Sequence, residues 1–316
     1  MLALADSWVW DSWYFDDGEY FHAFFLKASR ALLDPDLRHQ RATVGHAISE
    51  DLVTWELLPD ALVFSDGPAF DDCAIWTGCV VQDLQGGFHL FYTGIDRSSR
   101  GRVQQIGHAV SCDLISWKRH DVNPVVIADA CWYETDTTHQ RENWRDPWVF
   151  FDELSQCWRM LITAHASEGD ERWRGTIATA ESVDLVNWQV KAPLTEHRGF
   201  RQLEVVQTID IQGQWVALWC MAASDVDTSW VDSTGVIPLT GTWSCPAESG
   251  TGPFHFDAAE PIAVEGTYAG RVVIDRSGTP VFMAFADRDQ RGDFGGYLIN
   301  PVALALTDRG TLQPSA

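Results

Sequence analysis

The chain has 316 residues, a formal net charge of −23 at pH 7, and 46% hydrophobic residues. This apolar content excludes general disorder. The acidic charge argues against nucleic acid and anionic membranes as partners, because both attract basic surfaces. All-β chains of this length often form one domain, so we expect a single domain over residues 1–316.

The cysteines and the first residues favour a reducing compartment. Seven cysteines are scattered along the chain without a Cys-x-x-Cys pair, as expected for small buried residues rather than a disulfide framework. Residues 1–8 are too short and too acidic for a signal peptide. No apolar stretch reaches the roughly 18 residues that a membrane span needs. We therefore expect a cytoplasmic location and no membrane partner.

The first informative element is a carboxylate between aromatic residues. Asp11 lies in the segment VWDSW at residues 9–13, and an apolar run follows at residues 21–26. Short runs of aromatic and β-branched residues between turn residues are typical of strands. Cleavage of glycosidic bonds uses a pair of carboxylates, so an acidic residue in this setting is a candidate for that chemistry.

A repeated segment comes next. Residues 45–55 recur at residues 107–117 and, more loosely, at residues 178–188. Each copy predicts a strand, a turn with Ser and Asp, and a Trp that starts the following strand. The aspartates of the three copies are 62 and 71 residues apart. A multi-strand unit repeated at such spacing predicts the blades of a β-propeller.

The length of the repeat sets the expected number of blades. Dividing 316 residues by about 62 gives five, although the last two blades are less regular, with their best strands at residues 200–222 and 272–285. No long helical period or linker is visible, and residues 244–253 have the composition of a loop. We predict an all-β chain that forms a single five-bladed β-propeller with an axial active-site funnel and no C-terminal β-sandwich.

Three later motifs complete a set of acidic residues. The segment Trp-Thr-Gly lies at residues 76–78, Arg-Asp-Pro at residues 145–147, and Glu204 follows downstream. The acids therefore come in the order Asp11, Asp146, Glu204, on strands of different blades. Strands of different blades meet only at the axis of a propeller. We expect the three carboxylates to converge on the axial funnel.

These motifs resemble those of the invertase and levansucrase clan, glycoside hydrolase families 32 and 68. The segment at residues 9–13 resembles the nucleophile motif of levansucrases, and both families share Arg-Asp-Pro. Residues 76–78 are similar to a Trp-Ser-Gly segment of the clan, with Thr77 in place of Ser, and residues 91–93 match the strand that follows it. The resemblance extends to Glu204, about two-thirds of the chain.

The resemblance implies a function and a set of roles. It implies retaining hydrolysis or transfer of a β-fructofuranosyl unit from sucrose-like oligosaccharides or fructans, through a covalent intermediate and without a metal or other cofactor. By resemblance Asp11 is the nucleophile, Asp146 stabilises the transition state, and Glu204 is the general acid/base. Covalent catalysis of this kind divides one difficult displacement into two easier ones.

Four further residues are expected to bind substrate. By resemblance, Trp10, Trp76 and Thr77 line the fructosyl pocket, while Arg145 binds hydroxyl groups. Arg145 also lies next to Asp146 in sequence, and an opposite charge lowers the pKa of a carboxyl group. We therefore expect Arg145 to keep Asp146 ionised.

Glu204 departs from the pattern of the clan. The acid/base Glu is usually followed by Cys-Pro or Arg-Pro, whereas Val-Val follows it here. Its apolar neighbours would suit a carboxyl group whose pKa must rise for proton donation. Glu196 and Glu181 are the competing candidates, and Glu181 falls in a repeat turn, where a structural role is expected.

Several other polar residues are weaker candidates. Arg38, His39 and Arg41 form a basic cluster, which either contacts the leaving group at the funnel rim or lies in a solvated loop. Trp132 and residues 142–143 are candidates of the same kind.

Two further patterns have structural explanations. His46 and His108 occupy equivalent positions in the repeat, so we expect structural histidines within strands. The acidic pairs at residues 16–17 and 71–72 contain the oxygen ligands that Ca²⁺ prefers, but such pairs are also common in turns.

Two alternative functions stay open from the sequence. An arabinanase or β-xylosidase-like furanosidase shares the fold and the order of acids but inverts configuration. About 5–5.5 Å between the two catalytic carboxyl groups indicates retention, and about 6.5–9.5 Å indicates inversion. The third possibility is a non-catalytic propeller that binds a sugar, because propellers carry many functions.

Overall fold

A computed structural model describes residues 1–136, 142–195 and 199–315. Across these residues, twenty strands form five four-stranded antiparallel sheets, each with its strands in sequence order. The first strands of the sheets contact one another around a closed ring. This arrangement is a five-bladed β-propeller, which confirms the fold expected from the repeat.

The blades follow one another along the chain. The first blade contains β1 (Ser7–Asp16), β2 (Phe21–Ser29), β3 (Thr43–Ser49) and β4 (Glu56–Leu62). The second contains β5 (Ala74–Gln82), β6 (Phe88–Ile95), β7 (Gln104–Ser111) and β8 (Lys118–Arg119). The third contains β9 (Trp144–Asp152), β10 (Cys157–His165), β11 (Gly175–Ser182) and β12 (Gln189–Lys191).

The last two blades are built in the same way despite their irregular sequence. The fourth contains β13 (Glu204–Ile211), β14 (Gln214–Met221), β15 (Gly241–Ala247) and β16 (Glu260–Pro261). The fifth contains β17 (Thr267–Ile274), β18 (Pro280–Ala286), β19 (Val302–Leu306) and β20 (Leu312–Pro314). Helical segments are short, among them a 3-10 helix at Pro35–Gln40 and an α-helix at Thr228–Thr234. Within the described ranges, no helix has the length and hydropathy to cross a membrane.

The repeated segment forms the turn between the third and fourth strands of the first three blades. In the first copy, the Asp51 carboxylate accepts hydrogen bonds from the backbone N–H groups of Val53 (2.9 Å) and Thr54 (2.7 Å). Asp113 and Asp184 make the equivalent bonds. A short polar side chain that bonds backbone groups two and three residues ahead stabilises a turn. The predicted strand–turn–strand unit is therefore confirmed.

Most of the large aromatic residues fill the core. Trp13, Trp144, Trp219 and Trp243 are fully buried. A buried aromatic side chain of this size removes about 150–250 Å² from water, and truncation of one to Ala typically costs about 3–5 kcal/mol. These tryptophans therefore stabilise the blades rather than bind a ligand.

The histidines of the repeat form buried pairs within the sheets. In the first blade, His22 Nε2 lies 3.1 Å from an Asp17 carboxylate oxygen, and His22 Nδ1 lies 2.9 Å from His46 Nε2. Because His22 Nε2–H donates a hydrogen bond to the carboxylate, Nδ1 of a neutral His22 ring accepts a hydrogen bond from His46 Nε2–H. The second blade repeats this arrangement with Asp83, His89 and His108. Both repeat histidines are strand residues, as expected from their recurrence.

These buried histidines make the free energy of unfolding dependent on pH. Burial, reinforced by a neighbouring histidine, lowers the pKa of His46 and of His108 to about 3, whereas an unfolded His has a pKa near 6.5. The unfolded chain thus binds more protons between these values, and stability that is present above pH 6.5 is lost as pH falls towards 3. We expect the free energy of unfolding to fall by up to about 1.4 kcal/mol per pH unit for each His.

Chemical denaturation at a series of pH values from 7.5 to 4 measures this dependence. The combined variant His46→Gln and His108→Gln should show a shallower dependence on pH than the parent. His255→Gln is the control, because the His255 side chain is 51% exposed. An unchanged slope in the double variant would contradict the assignment of the acid sensitivity to these pairs.

Candidate active site

The inner strand of every described blade carries a β-bulge at the same level. The bulges lie at Asp11, Thr77, residues 146–147, residues 205–206 and residues 269–270. Asp11 and Asp146 have φ values of 22° and 57°, a region that non-glycine residues seldom adopt. Bulges interrupt the alternation of side chains and redirect them, and here they turn the side chains of Asp11, Thr77 and Asp146 towards the axis.

The bulges surround an axial funnel of about 650 Å³. All seven residues that the sequence analysis assigned to the site line this funnel: Trp10, Asp11, Trp76, Thr77, Arg145, Asp146 and Glu204. They come from the first four blades. The structure thus brings together residues that are up to 194 positions apart in the sequence (from 10 to 204).

Asp11 lies beside the other two acids. Its carboxylate accepts a hydrogen bond of 2.5 Å from the Thr77 hydroxyl. Burial raises the pKa of Asp11 to about 7, the charges of Asp146 and Glu204 add to this shift, and the Thr77 hydrogen bond opposes it. Thr77, which we expected to contact substrate, therefore contacts the candidate nucleophile and favours its ionised form.

Asp146 is held by groups from two neighbouring blades. Its carboxylate accepts hydrogen bonds from Thr163 Oγ1 (3.0 Å) and from the backbone N–H of Val205 (3.3 Å), while its own N–H donates to Thr93 Oγ1 (2.9 Å). Burial raises the pKa of Asp146 even though Arg145, with Nε 3.6 Å from the carboxylate, works against this shift. Arg145 favours the ionised form of Asp146, as expected of an opposite charge, although desolvation has the larger effect on the pKa.

Glu204 has polar partners on both carboxylate oxygens. Arg145 Nη2 donates to Oε1 at 2.5 Å, and the Tyr268 hydroxyl donates to Oε2 at 2.6 Å. The wholly apolar setting expected for Glu204 is not observed, because both carboxylate oxygens have polar partners. Leu203 is buried in the core, while Glu204, which begins β13, lines the funnel together with Val205.

Arg145 is fixed by a network of buried polar groups. Nη1 donates to Asn143 Oδ1 (2.8 Å), and Nη2 also donates to Gln202 Oε1 (3.0 Å). Behind it, Asn143 donates to the fully buried carboxylate of Glu134, which also accepts from Arg174 at 2.9 Å. The network holds the guanidinium group against Glu204. Arg145, which we expected to bind substrate hydroxyl groups and to act on Asp146, therefore also positions the acid/base candidate.

Tyr268 is a site residue that the sequence analysis missed. It lies on β17 in the fifth blade, outside the repeat and outside every motif that was singled out. Its hydroxyl group is the only feature that suggests a polar role, and six Tyr residues share it. Contact between Tyr268 and Glu204 depends on the packing of the fifth blade beside the fourth, which brings β17 against β13.

The weaker candidates divide between the funnel and other places. Arg38 and His39 line the funnel, with the Arg38 guanidinium 5.6 Å from the centre of the Trp10 ring, whereas Arg41 is exposed and lies outside the lining. Burial and the nearby Arg38 lower the pKa of His39 to about 4, so His39 is neutral at pH 7. Asn143 also lines the funnel, whereas Trp132, which is 44% exposed, does not.

The remaining acidic candidates have other settings. Glu142 is buried but does not line the funnel. Glu181 pairs with Arg159 and with Lys191 on the outer strands of the third blade, in keeping with a structural role. Glu196 lies outside the described residues.

The acidic pairs considered for Ca²⁺ have protein partners. Asp16 pairs with Arg276, Asp17 with His22, and Asp71 accepts hydrogen bonds from Tyr92 (3.0 Å) and Arg119 (2.8 Å). Over residues 1–136, 142–195 and 199–315, no group of three or more His, Cys, Asp or Glu side chains is placed to hold a metal ion.

Tyr268 provides a test of how the acid/base candidate is held. Tyr268→Phe removes a charge-assisted hydrogen bond to Glu204, and such bonds contribute about 1.5–3 kcal/mol. We expect kcat to fall about 10–100-fold with an altered pH profile, since the Glu204 carboxylate loses a hydrogen-bond donor. Tyr20→Phe, in the turn that follows β1, is the control. An unchanged kcat and pH profile in Tyr268→Phe would exclude a positioning role.

Several known proteins are similar in sequence to part of this chain. The chain is 27% identical over 184 residues to the insoluble beta-fructofuranosidase isoenzyme CWINV6 of Arabidopsis thaliana, covering 57% of this chain and 31% of that protein. It is 30% identical over 168 residues to a levanase of Bacillus sp. (strain L7), covering 49% of this chain and 16% of the levanase. The chain therefore spans less than a third of the length of these curated relatives.

Structural similarity extends over nearly the whole chain. The inulosucrase of Halalkalicoccus jeotgali bound to kestose superposes with a TM-score of 0.77 at 19% identity, covering 98% of this chain and 89% of the inulosucrase chain. At this identity the similarity shows the shared fold. The glycosyl hydrolases family 32 N-terminal domain matches residues 12–291, which is most of the sequence. The chain therefore belongs to glycosyl hydrolase family 32.

Proposed function

We propose that this chain is a retaining β-fructofuranosidase or fructosyltransferase that acts on sucrose-like oligosaccharides or fructans. The observation that carries the proposal is the convergence of Asp11, Asp146 and Glu204 on one funnel, with Arg145 among them. Membership of family 32 and the names of the partial relatives, a beta-fructofuranosidase and a levanase, support fructosyl chemistry.

The first half of the proposed reaction forms a covalent intermediate. A carboxylate oxygen of Asp11 attacks the anomeric carbon, and the bond from this carbon to the leaving-group oxygen breaks. Glu204, in its protonated form, transfers its proton to the departing oxygen. Asp146 accepts hydrogen bonds from sugar hydroxyls, and such bonds strengthen as the ring becomes oxocarbenium-like. The product is a fructosyl ester of Asp11.

The second half releases the sugar. Glu204, now a carboxylate, takes a proton from the acceptor, whose oxygen attacks the anomeric carbon from the side that the leaving group occupied. The ester bond breaks and Asp11 regains its charge. Two displacements on one carbon retain its configuration. Water as acceptor makes the chain a hydrolase, and a sugar hydroxyl makes it a transferase.

Product stereochemistry tests this proposal. The chain is incubated with a panel that contains sucrose, inulin-type and levan-type fructans, and arabinofuranosides, and the first-formed anomer is followed by NMR. We expect release or transfer of fructose with retained β-configuration. Inverted products, or activity confined to arabinofuranosides, would favour the arabinanase-like alternative. A folded protein that binds these sugars without turnover would favour the non-catalytic alternative.

We also propose that the protein works in the cytoplasm. All seven cysteines are free thiols, as is typical of proteins kept in a reducing compartment. Fractionation of the native cells followed by detection of the protein tests this, and recovery in the extracellular or periplasmic fraction would contradict it.

A further inference from the structure

A second cavity lies deeper along the propeller axis than the funnel. It has a volume of about 220 Å³ and is lined by Tyr14, Asp16, Trp148, Gln207, Arg271 and residues 272–274. Tyr14, Trp148 and Arg271 follow the funnel residues Asp11, Asp146 and Tyr268 by two or three positions on the same inner strands. We call it the lower cavity. It takes no part in the proposed reaction.

Arg271 in the lower cavity is a buried cation with an unused edge. It is 1% exposed, and Nη1 donates to the backbone carbonyls of Val205 (3.2 Å) and Val206 (2.6 Å). Nε and Nη2 have no hydrogen-bond partner among the described residues, and none of the described carboxylates lies within 4.0 Å of the guanidinium. Nε and Nη2 form the forked edge of arginine that binds anions with two N–H groups.

Trp148 adds a third donor at the same cavity. Its indole Nε1 is buried and unpartnered within the described part of the chain, and the Arg271 guanidinium lies 5.1 Å from the centre of its ring. The other polar groups of the lining are already engaged. Gln207 bonds both backbone groups of Val272, and the Tyr14 hydroxyl bonds Ser12. The unpartnered groups of Arg271 and Trp148 are therefore all donors.

The charge balance of the lower cavity favours an anion. A buried donor without a partner is costly, and a buried charge even more so. Asp16 is the acidic residue of the lining. Its carboxylate pairs with Arg276 at 2.5 Å, and this ion pair offsets the negative charge of Asp16. Water can satisfy neutral donors, but the guanidinium edge of Arg271 also carries positive charge, and the Trp148 N–H is a further unpartnered donor of the lining.

We propose that the lower cavity binds a small monovalent anion of the size of chloride. The Nε and Nη2 groups of Arg271 chelate it, and Trp148 Nε1–H donates the third hydrogen bond. The anion links the inner strands β9 and β17 at the floor of the site. Because it binds the folded chain and not the unfolded one, it stabilises the folded state by RT ln(1 + [Cl⁻]/Kd), and the thermal midpoint of unfolding rises once chloride exceeds Kd.

Chloride titration at constant ionic strength tests the proposal, with gluconate as the balancing anion. We expect the Tm of the parent to be level at low chloride and then to rise with the logarithm of the chloride concentration above Kd. Trp148→Phe keeps an aromatic ring beside Arg271 but removes the N–H donor, so its apparent Kd for chloride should be about tenfold weaker. Trp132→Phe, at an exposed site, should match the parent. Arg271→Met, if it folds, should show no rise in Tm with chloride.

Crystals grown in bromide provide a direct measurement. We expect an anomalous peak within hydrogen-bonding distance of Arg271 Nε and Nη2 and Trp148 Nε1. Water without an anomalous peak at this position would overturn the proposal. So would a peak in crystals accompanied by no chloride-dependent rise in Tm, or an equal Kd for chloride in the parent and in Trp148→Phe.

Discussion

Asp11→Asn is expected to lower kcat on sucrose or fructan by about 10⁴–10⁶-fold, the range seen when a nucleophile is removed. The amide has nearly the same shape as the carboxylate but cannot form the fructosyl ester. The measurement is steady-state turnover together with mass spectrometry of the protein quenched during turnover, where only the parent should carry the ester. Asp60→Asn is the control, because Asp60 pairs with Lys27 on outer strands of the same blade. Near-normal turnover in Asp11→Asn would exclude Asp11 as nucleophile.

The same substitution is expected to stabilise the fold at neutral and alkaline pH. Burial raises the pKa of folded Asp11 to about 7, above the roughly 3.9 of an unfolded Asp. The stability contributed by protonated Asp11 is therefore complete below pH 3.9 and is lost as pH rises through 7. At pH 8 we expect Asp11→Asn to exceed the parent by about 1–2 kcal/mol, allowing for the solvent that still reaches the funnel.

The comparison of denaturation curves at pH 8 and pH 4 isolates this effect. The advantage of Asp11→Asn should largely disappear at pH 4, where the parent carboxyl group is protonated in the folded state and about half protonated in the unfolded state. An advantage of equal size at both pH values would show that the effect comes from packing rather than from ionisation.

Glu204→Gln is expected to separate substrates by their leaving groups. Cleavage of sucrose or fructan should slow by about 10²–10⁴-fold, the contribution of general acid catalysis. Cleavage of nitrophenyl fructofuranoside should be spared at the first step, because nitrophenolate departs without a proton. Added azide should then accelerate the second step, because it attacks the ester without a general base. Parallel assays of both substrates, with and without azide, measure these effects.

Controls distinguish Glu204 from its competitors. Glu181→Gln, on an outer strand of the third blade, should leave both activities near the parent values. An equal loss on both substrates in Glu204→Gln, with no azide rescue, would contradict the acid/base role. In that case Glu196→Gln is the next variant, and leaving-group dependence there would move the role to Glu196.

Several features of this protein were readable from the sequence because they depend on local patterns. In the Ser-Asp turns of the repeat, the Asp side chain accepts hydrogen bonds from backbone groups within three residues. The positions of Asp51 and its two counterparts therefore predict the blades from the local sequence. The acids at positions 11 and 146 lie in short motifs with specific neighbours. Five blades follow from the spacing of the repeat, and strands of separate blades can meet only at the axis.

Other features depend on contacts that no local pattern encodes. The bulges decide which side chains of the inner strands face the funnel, and a shift by one residue reverses a strand's faces. Adjacency in sequence suggested that Arg145 acts on Asp146. The network around Asn143, however, also places the Arg145 guanidinium against Glu204. Tyr268 reaches Glu204 only because the inner strands of the fourth and fifth blades pack against each other.

The sequence by itself therefore determined the blade count, the three acidic residues and their order along the chain. Only the tertiary structure decided the partners and ionisation of those acids. The physical reason is that a pKa depends on desolvation and on charges from every neighbouring strand. For Asp11 those neighbours come from other blades, far away in sequence, and for Asp146 they include Glu204 and Val205 of the next blade.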